Sequence, residues 1–301
     1  MTAPKITVFY SDQMVSNPRS LSPSGLKPRL IMEHWRKHSI PMNIVAPEPA
    51  TIDMLAQVHD RSFLGDLVCG RIDNGFGDRS LNVARSLPHV AGALVSAALF
   101  SLKTGKPSVA PVSGAHHAGF DYCRAFCSVN SIALAAVETH KVSGGTIGFF
   151  DGDAHEPCGV LDIRRRLGFD WLEVYSPNHE FGTSALAESF LAALPNILEQ
   201  RFAKCKLLIF QAAGDVLDID PLGAGWLTEQ QIAKRDLIIL KTMKRLRIPL
   251  CWLMGGGYSR APDGSLEPVL RVHLNTVRAC LEVESTVRAS GRLKDGFIKD
   301  L

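Results

Sequence analysis

The 301-residue sequence has little net charge: 33 Lys+Arg against 30 Asp+Glu leave a formal +3. Without a basic surplus there is no phosphate-neutralising surface, which excludes the usual electrostatic kind of nucleic-acid binder. Small net charge together with 46% hydrophobic content also excludes disorder. Long apolar runs are missing. The longest, Val90 to Phe100, is about half of what a membrane span needs. Met1-Thr2-Ala3-Pro4-Lys5 leads straight into a strand-like segment, not a signal-peptide apolar block. The seven cysteines are odd in number and irregular in spacing, so no disulfide framework is expected. Cys123 and Cys127 could pair on a metal by spacing alone, yet a second pair at zinc-site spacing is absent. These absences set the expectation of a cytoplasmic protein that uses neither membrane nor nucleic acid.

What the sequence has is rhythm. Strand-like runs stand at Ile6–Tyr10, Met42–Val45, Ser108–Val112, Thr146–Phe150, Trp171–Tyr175, Leu207–Gln211 and Pro249–Met254. Between them fall helical patterns at Pro28–His38, after Thr51 as an N-cap, and at Val83–Leu102, which Pro88 should break and Gly105 should end. Further helices are expected at Ser131–His140, Leu161–Leu167, Ser184–Phe202, Thr228–Leu246 and Leu266–Leu281. Such alternation predicts a single α/β domain, a mostly parallel sheet flanked by helices on both faces. Glu173 places the Trp171–Tyr175 strand toward an edge. With no linker or repeat in view, one domain over 1–285 is expected, followed by a polar tail at 286–301.

Open parallel sheets bind ligands beyond the carboxyl ends of their strands. Four strands here deliver reactive residues to that edge. Ser113-Gly114-Ala115-His116-His117 follows one, Asp151-Gly152-Asp153-Ala154-His155 another, Ala212-Ala213-Gly214-Asp215 a third, and Gly255-Gly256-Gly257-Tyr258 the fourth. In extended backbone Asp153 and His155 point the same way, and Asp215 from a neighbouring strand completes an N/O ligand set with an open position. Adjacent histidines beside a metal-bound water can act as general base and as electrostatic partner or acid. Asp151 can orient one of them. Tyr258, after glycines that let the backbone turn sharply, can donate to an oxyanion. Arg164-Arg165-Arg166 and Lys241 to Arg247 read as solvated helix faces, and His59 as a structural histidine on a helix.

Together these residues resemble the arginase/deacetylase superfamily, in its histone deacetylase and acetylpolyamine amidohydrolase branch. The resemblance runs from Phe9-Tyr10-Ser11-Asp12 and Gln57-Val58-His59-Asp60 to Gly255-Gly256-Gly257-Tyr258. Its strongest motifs are Gly114-Ala115-His116-His117-Ala118-Gly119, Phe126-Cys127-Ser128-Val129-Asn130, Asp151-Gly152-Asp153-Ala154-His155 and Asp215 to Gly223. It implies the arginase/deacetylase fold and one zinc, or ferrous iron, on Asp153, His155 and Asp215. By the same resemblance His116 and His117 form the acid/base pair, with Tyr258 polarising the amide carbonyl. Phe126, Phe181 and Gly256 would line the acyl channel. A structural potassium site is also implied, built from carbonyls around Asp151, Asp153 and His155 with Ser176.

Three departures bear on chemistry. The arginase branch needs two further Asp residues for its second metal, and Pro157 and Leu217 stand there instead, which disfavours guanidine hydrolysis. Cys158 replaces the carboxylate or amide that would orient His117, and a thiol is a weak hydrogen-bonder. Ala125 stands for the usual Gly before Phe126. The expected function is zinc-dependent removal of an acetyl or small acyl group from an amine, with acetylpolyamines or related small molecules ahead of acetyl-lysine in proteins. A zinc-containing acyl-group binding protein with impaired catalysis is the alternative from another class. An oligomer is compatible with the sequence.

Overall fold

The computed structural model describes residues 4–223 and 225–295, with side chains described to 286. Among the described residues, seven strands form one all-parallel sheet: β1 (Ile6–Phe9), β2 (Met42–Val45), β3 (Ser108–Ala110), β4 (Ile147–Asp151), β5 (Leu172–Tyr175), β6 (Leu207–Ala212) and β7 (Leu250–Met254). Their order is β2-β1-β3-β7-β6-β4-β5. The central strands are buried along their whole length and are apolar except for a few polar residues, as strands covered on both faces must be. β5, with Glu173, is an edge, and the half-exposed β2 is the other.

The helices are α1 (Lys27–Lys37), α2 (Ile52–Leu55), α3 (Arg61–Val68), α4 (Leu81–Thr104), α5 (Ser131–Ser143), α6 (Cys158–Leu167), α7 (Asn178–Phe181), α8 (Ala187–Phe202), α9 (Glu229–Leu246) and α10 (Glu267–Asp295). Several begin where side chains cap them: Thr51 accepts from Met54 N, Asn130 from Ala133 N, and Thr228 with Gln231 forms a reciprocal cap. Gly105, Gly144 and Gly168 end helices in the left-handed conformation.

Pro88 does not break its helix, contrary to the sequence reading. α4 runs unbroken from Leu81 to Thr104 and is largely buried, so packing along its length outweighs a penalty of about 3 kcal/mol. The proline's own carbonyl accepts from Ala50 N at 2.9 Å. By length and composition α4 could cross a bilayer, but here it is a core helix packed on α5, β3 and β7. α10 extends past the expected Leu281 to Asp295; of the polar tail expected from 286, residues 296–301 lie outside the described residues.

Strand register fixes where the chemistry stands. Asp151 pairs with Gln211 at the ends of β4 and β6, and Ala212 with Met254 at the ends of β6 and β7. The turns leaving these strands therefore emerge side by side on one edge of the sheet.

Candidate active site

The turn after β4 carries the first two candidate ligands. Asp153 N donates to Asp151 Oδ1 at 3.1 Å and His155 N to Asp153 Oδ1 at 3.1 Å, so the turn folds around its own carboxylates. Asp215, on the loop after β6, accepts from Ala154 N at 3.0 Å. His155 Nδ1 lies 3.2 Å from Asp153 Oδ1 and 3.2 Å from Asp215 Oδ2. Among the described residues, Asp153, His155 and Asp215 are the one group whose potential ligand atoms, all within 4.8 Å of one another, fit a metal ion. Gly256 is required there: a Cβ would come within 2.2 Å of Asp215 Oδ2, and its N–H donates to Asp153 Oδ2 at 2.7 Å. Hydrogen bonds to Asp153 and Asp215 raise the His155 pKa to about 10, and burial with the neighbouring Asp153 charge raises Asp215 to about 7. The donor set suits a divalent metal with coordination to spare.

The histidine pair is asymmetric. His116 Nδ1 meets Asp151 Oδ2 at 2.8 Å, and its Nε2 stands 3.7 Å from Asp153 Oδ1. Burial opposes charge on His116, but Asp153, Asp151 and Asp215 outweigh it and raise its pKa to about 9. His117 has no carboxylate. Its Nδ1 faces Cys158 Sγ at 3.3 Å, and burial, then the charge of His116, lowers its pKa to about 3. One ring is thus held cationic and its neighbour, 3.9 Å away between centroids, neutral. The two environments split the pKa values of adjacent identical side chains, the pattern expected of an acid and a base.

A cavity of about 290 Å³ opens over this cluster, lined by His116, His117, Asp153, His155, Phe126 and Tyr258 among others. Gly256 and Leu222 also line it. Ala125 and Phe126 both have positive φ, 45° and 66°, an uncommon pair for side-chain-bearing residues that aims the Phe126 ring at Tyr258, 5.7 Å between centroids. Phe181 does not reach the cavity. It ends the one-turn α7 and packs on Phe190 at 5.5 Å, within an aromatic cluster continuing to Trp226. Leu222 takes the wall expected of it. Asp220 ties this wall to the tyrosine: Oδ1 accepts from Leu222 N and Gly223 N, and Oδ2 from Tyr258 N, Ser259 N and Ser259 Oγ.

Sequence reading missed three buried polar residues around this site. Gln211 donates from Nε2 to Asp151 Oδ1 at 3.0 Å and to Asp153 Oδ2 at 3.3 Å, linking the two carboxylates. Lys27, fully buried, donates to Gly255 O at 2.7 Å and lies 5.6 Å from the Tyr258 ring centroid; burial lowers its pKa to about 8. Arg235 reaches from α9 to Gly152 O and Ala213 O. Gln211 ends a strand and was readable by the same strand-end rule as the ligands. The two cations sit on helices whose patterns look like ordinary amphipathic surfaces. His59 lies in the turn between α2 and α3 instead of on a helix; its Nε2 accepts from Asn130 N at 2.8 Å, a structural role.

No family model matches the chain. Histone deacetylase 2 of Arabidopsis thaliana is 27% identical over 169 residues, 48% of this chain. That match spans 43% of the relative, less than half its length. Among solved structures, the crystal structure of the HDA15 HD domain superposes with a TM-score of 0.75 at 16% identity, covering 93% of this chain and 90% of that one. The chain therefore has the histone deacetylase fold, that of the arginase/deacetylase branch its motifs resemble.

Proposed function

We propose that this protein is a zinc-dependent amidohydrolase that removes an acetyl or other small acyl group from an amine. One observation carries the reading: the Asp153–His155–Asp215 cluster shares a cavity with a carboxylate-paired His116, a neutral His117 and Tyr258. Bound zinc, with ferrous iron as the alternative, would supply Lewis acidity towards the amide carbonyl and an attacking water.

The chain's own residues do the rest. His117, kept neutral by burial and by the adjacent imidazolium, accepts the proton of the water. His116, held protonated against Asp151, stabilises the developing negative charge. The leaving amine takes its proton from one of the two rings. Tyr258 stays protonated, because burial and the Asp153 and Asp215 charges push its pKa up, and donates to the oxyanion. Phe126 and Leu222 exclude water around an aliphatic arm.

Two substrate classes present such an arm. Small acylated amines such as acetylpolyamines rank first in the sequence reading, while the name of the Arabidopsis relative favours acetyl-lysine in proteins. Turnover on acetylpolyamines and on acetyl-lysine peptides, with and without chelator, tests the proposal. Chelator-sensitive release of acetate supports it, and the faster class identifies the substrate. Zinc and substrate binding without turnover on either would favour the acyl-group binding protein, with the Cys158 partner of His117 as its cause.

A further inference from the structure

The potassium site implied by the resemblance can be compared with the atoms that would build it. A cation there would have to lie among the carbonyls of the 151–155 turn and Ser176 Oγ. Of these, Asp153 O is already engaged, and so is the neighbouring Gly152 O. Asn178 Nδ2 donates to Asp153 O and reaches Ser176 Oγ at 3.2 Å, placing its amide hydrogens between two oxygens that a cation would bridge. Arg235 Nη1 donates to Gly152 O at 2.8 Å, and a Cβ on Gly152 would meet that nitrogen at 3.1 Å. A permanently charged guanidinium one residue along the same turn repels a second cation.

Arg235 does more than fill space. It is 1% exposed, and its Nη2 donates to Ala213 O at 3.2 Å, two residues before the ligand Asp215. One planar fork therefore joins the turn carrying Asp153 and His155 to the loop carrying Asp215. The charge is balanced in place: Nε donates to Asp236 Oδ1 at 2.8 Å, and Asp236 Oδ2 accepts from Thr276 Oγ1 at 2.6 Å. An uncompensated guanidinium would not be kept at this depth.

We propose that Arg235, with Asn178, closes the implied potassium cradle with protein donors, so that the metal-ligand loops are held together without a monovalent cation. Arg235 is a positioning residue: it touches backbone carbonyls beside the ligands, not the reacting atoms. The inference takes Asp153, His155 and Asp215 as metal ligands, in keeping with the proposed function. Melting of the zinc-free chain reads the cradle without any turnover, so failure of either idea is seen separately.

The experiment is thermal unfolding of the full chain, zinc-free and zinc-loaded, as potassium chloride replaces tetramethylammonium chloride at constant ionic strength. The expected result is superimposable melts. A saturable rise in melting temperature with potassium would overturn the proposal. So would thallous-ion scattering in crystals between Asp153 O and Ser176 Oγ, which would require the Asn178 amide to turn its oxygen inward. Zinc retention against a competing chelator supplies the second arm. Arg235→Met should lose zinc about 10- to 100-fold more readily, the usual effect of removing an outer partner of a metal site. Unchanged retention would contradict the clamp. Should that variant not fold, Asn178→Ala is read in the same way.

Discussion

Replacing Tyr258 by Phe removes one oxygen and leaves its surroundings intact. The backbone there is anchored independently of the hydroxyl, since Asp220 accepts from Tyr258 N at 2.7 Å and from Ser259 N at 3.0 Å. The ring keeps its contact with Phe126 and its position near Lys27 Nζ. Among the described residues no hydrogen bond uses the hydroxyl as its anchor, so folding and metal binding should not change. Only a donor to the developing oxyanion is lost. Loss of one such donor costs on the order of a hundredfold to a thousandfold in turnover, about 3–4 kcal/mol of transition-state stabilisation. Steady-state kinetics on the preferred acylated amine should show kcat/KM falling by at least about a hundredfold, with metal content and melting temperature as in the parent. A Tyr258→Phe enzyme retaining most of its kcat/KM would refute the reasoning, because the tyrosine would then not face the reacting carbonyl.

Cys158→Asp places a carboxylate against His117 Nδ1, where an opposite charge raises an imidazole pKa by about one unit or more. A base must be unprotonated, so the acidic limb of the kcat/KM–pH profile should move to higher pH; an unmoved limb would remove His117 from the base role. Asp151→Asn takes the carboxylate from His116 and should lower activity about 10- to 100-fold while zinc stays bound, checked by kinetics beside metal analysis. His59 is buried neutral, its pKa lowered from 6.5 to about 4, so between those values the unfolded chain binds a proton that the folded chain does not. Stability should therefore fall as pH drops through this window, by roughly 3 kcal/mol in total. In denaturant titrations at pH 7 and pH 4, His59→Asn should lack that part of the loss.

Sheet, strand ends and the clustering of Asp153, His155 and Asp215 were legible in the sequence because they obey local rules. Buried parallel strands are continuous apolar runs, and whatever follows them lands on one edge. That rule places Asp153, His155 and Asp215 together, with His116, His117 and Tyr258 around them. What was not legible depends on distance in sequence. Lys27 and Gly255 are 228 residues apart, and Arg235 meets Gly152 across 83. A lysine or arginine on an amphipathic helix gives no local sign that its head group is enclosed. Phe181 was misplaced for a related reason: a motif aligns a residue with a wall, but the neighbouring Phe190 and Trp226 decide which way its ring turns. Pro88 shows tertiary packing overriding a local breaker.

Metal content measured by mass spectrometry, together with acetate release from acylated amines before and after chelation, tests the central claim most directly. The account predicts one zinc per chain and turnover that chelator abolishes and zinc restores. A chain that binds no metal, or that hydrolyses its amide equally well after chelation, would contradict it.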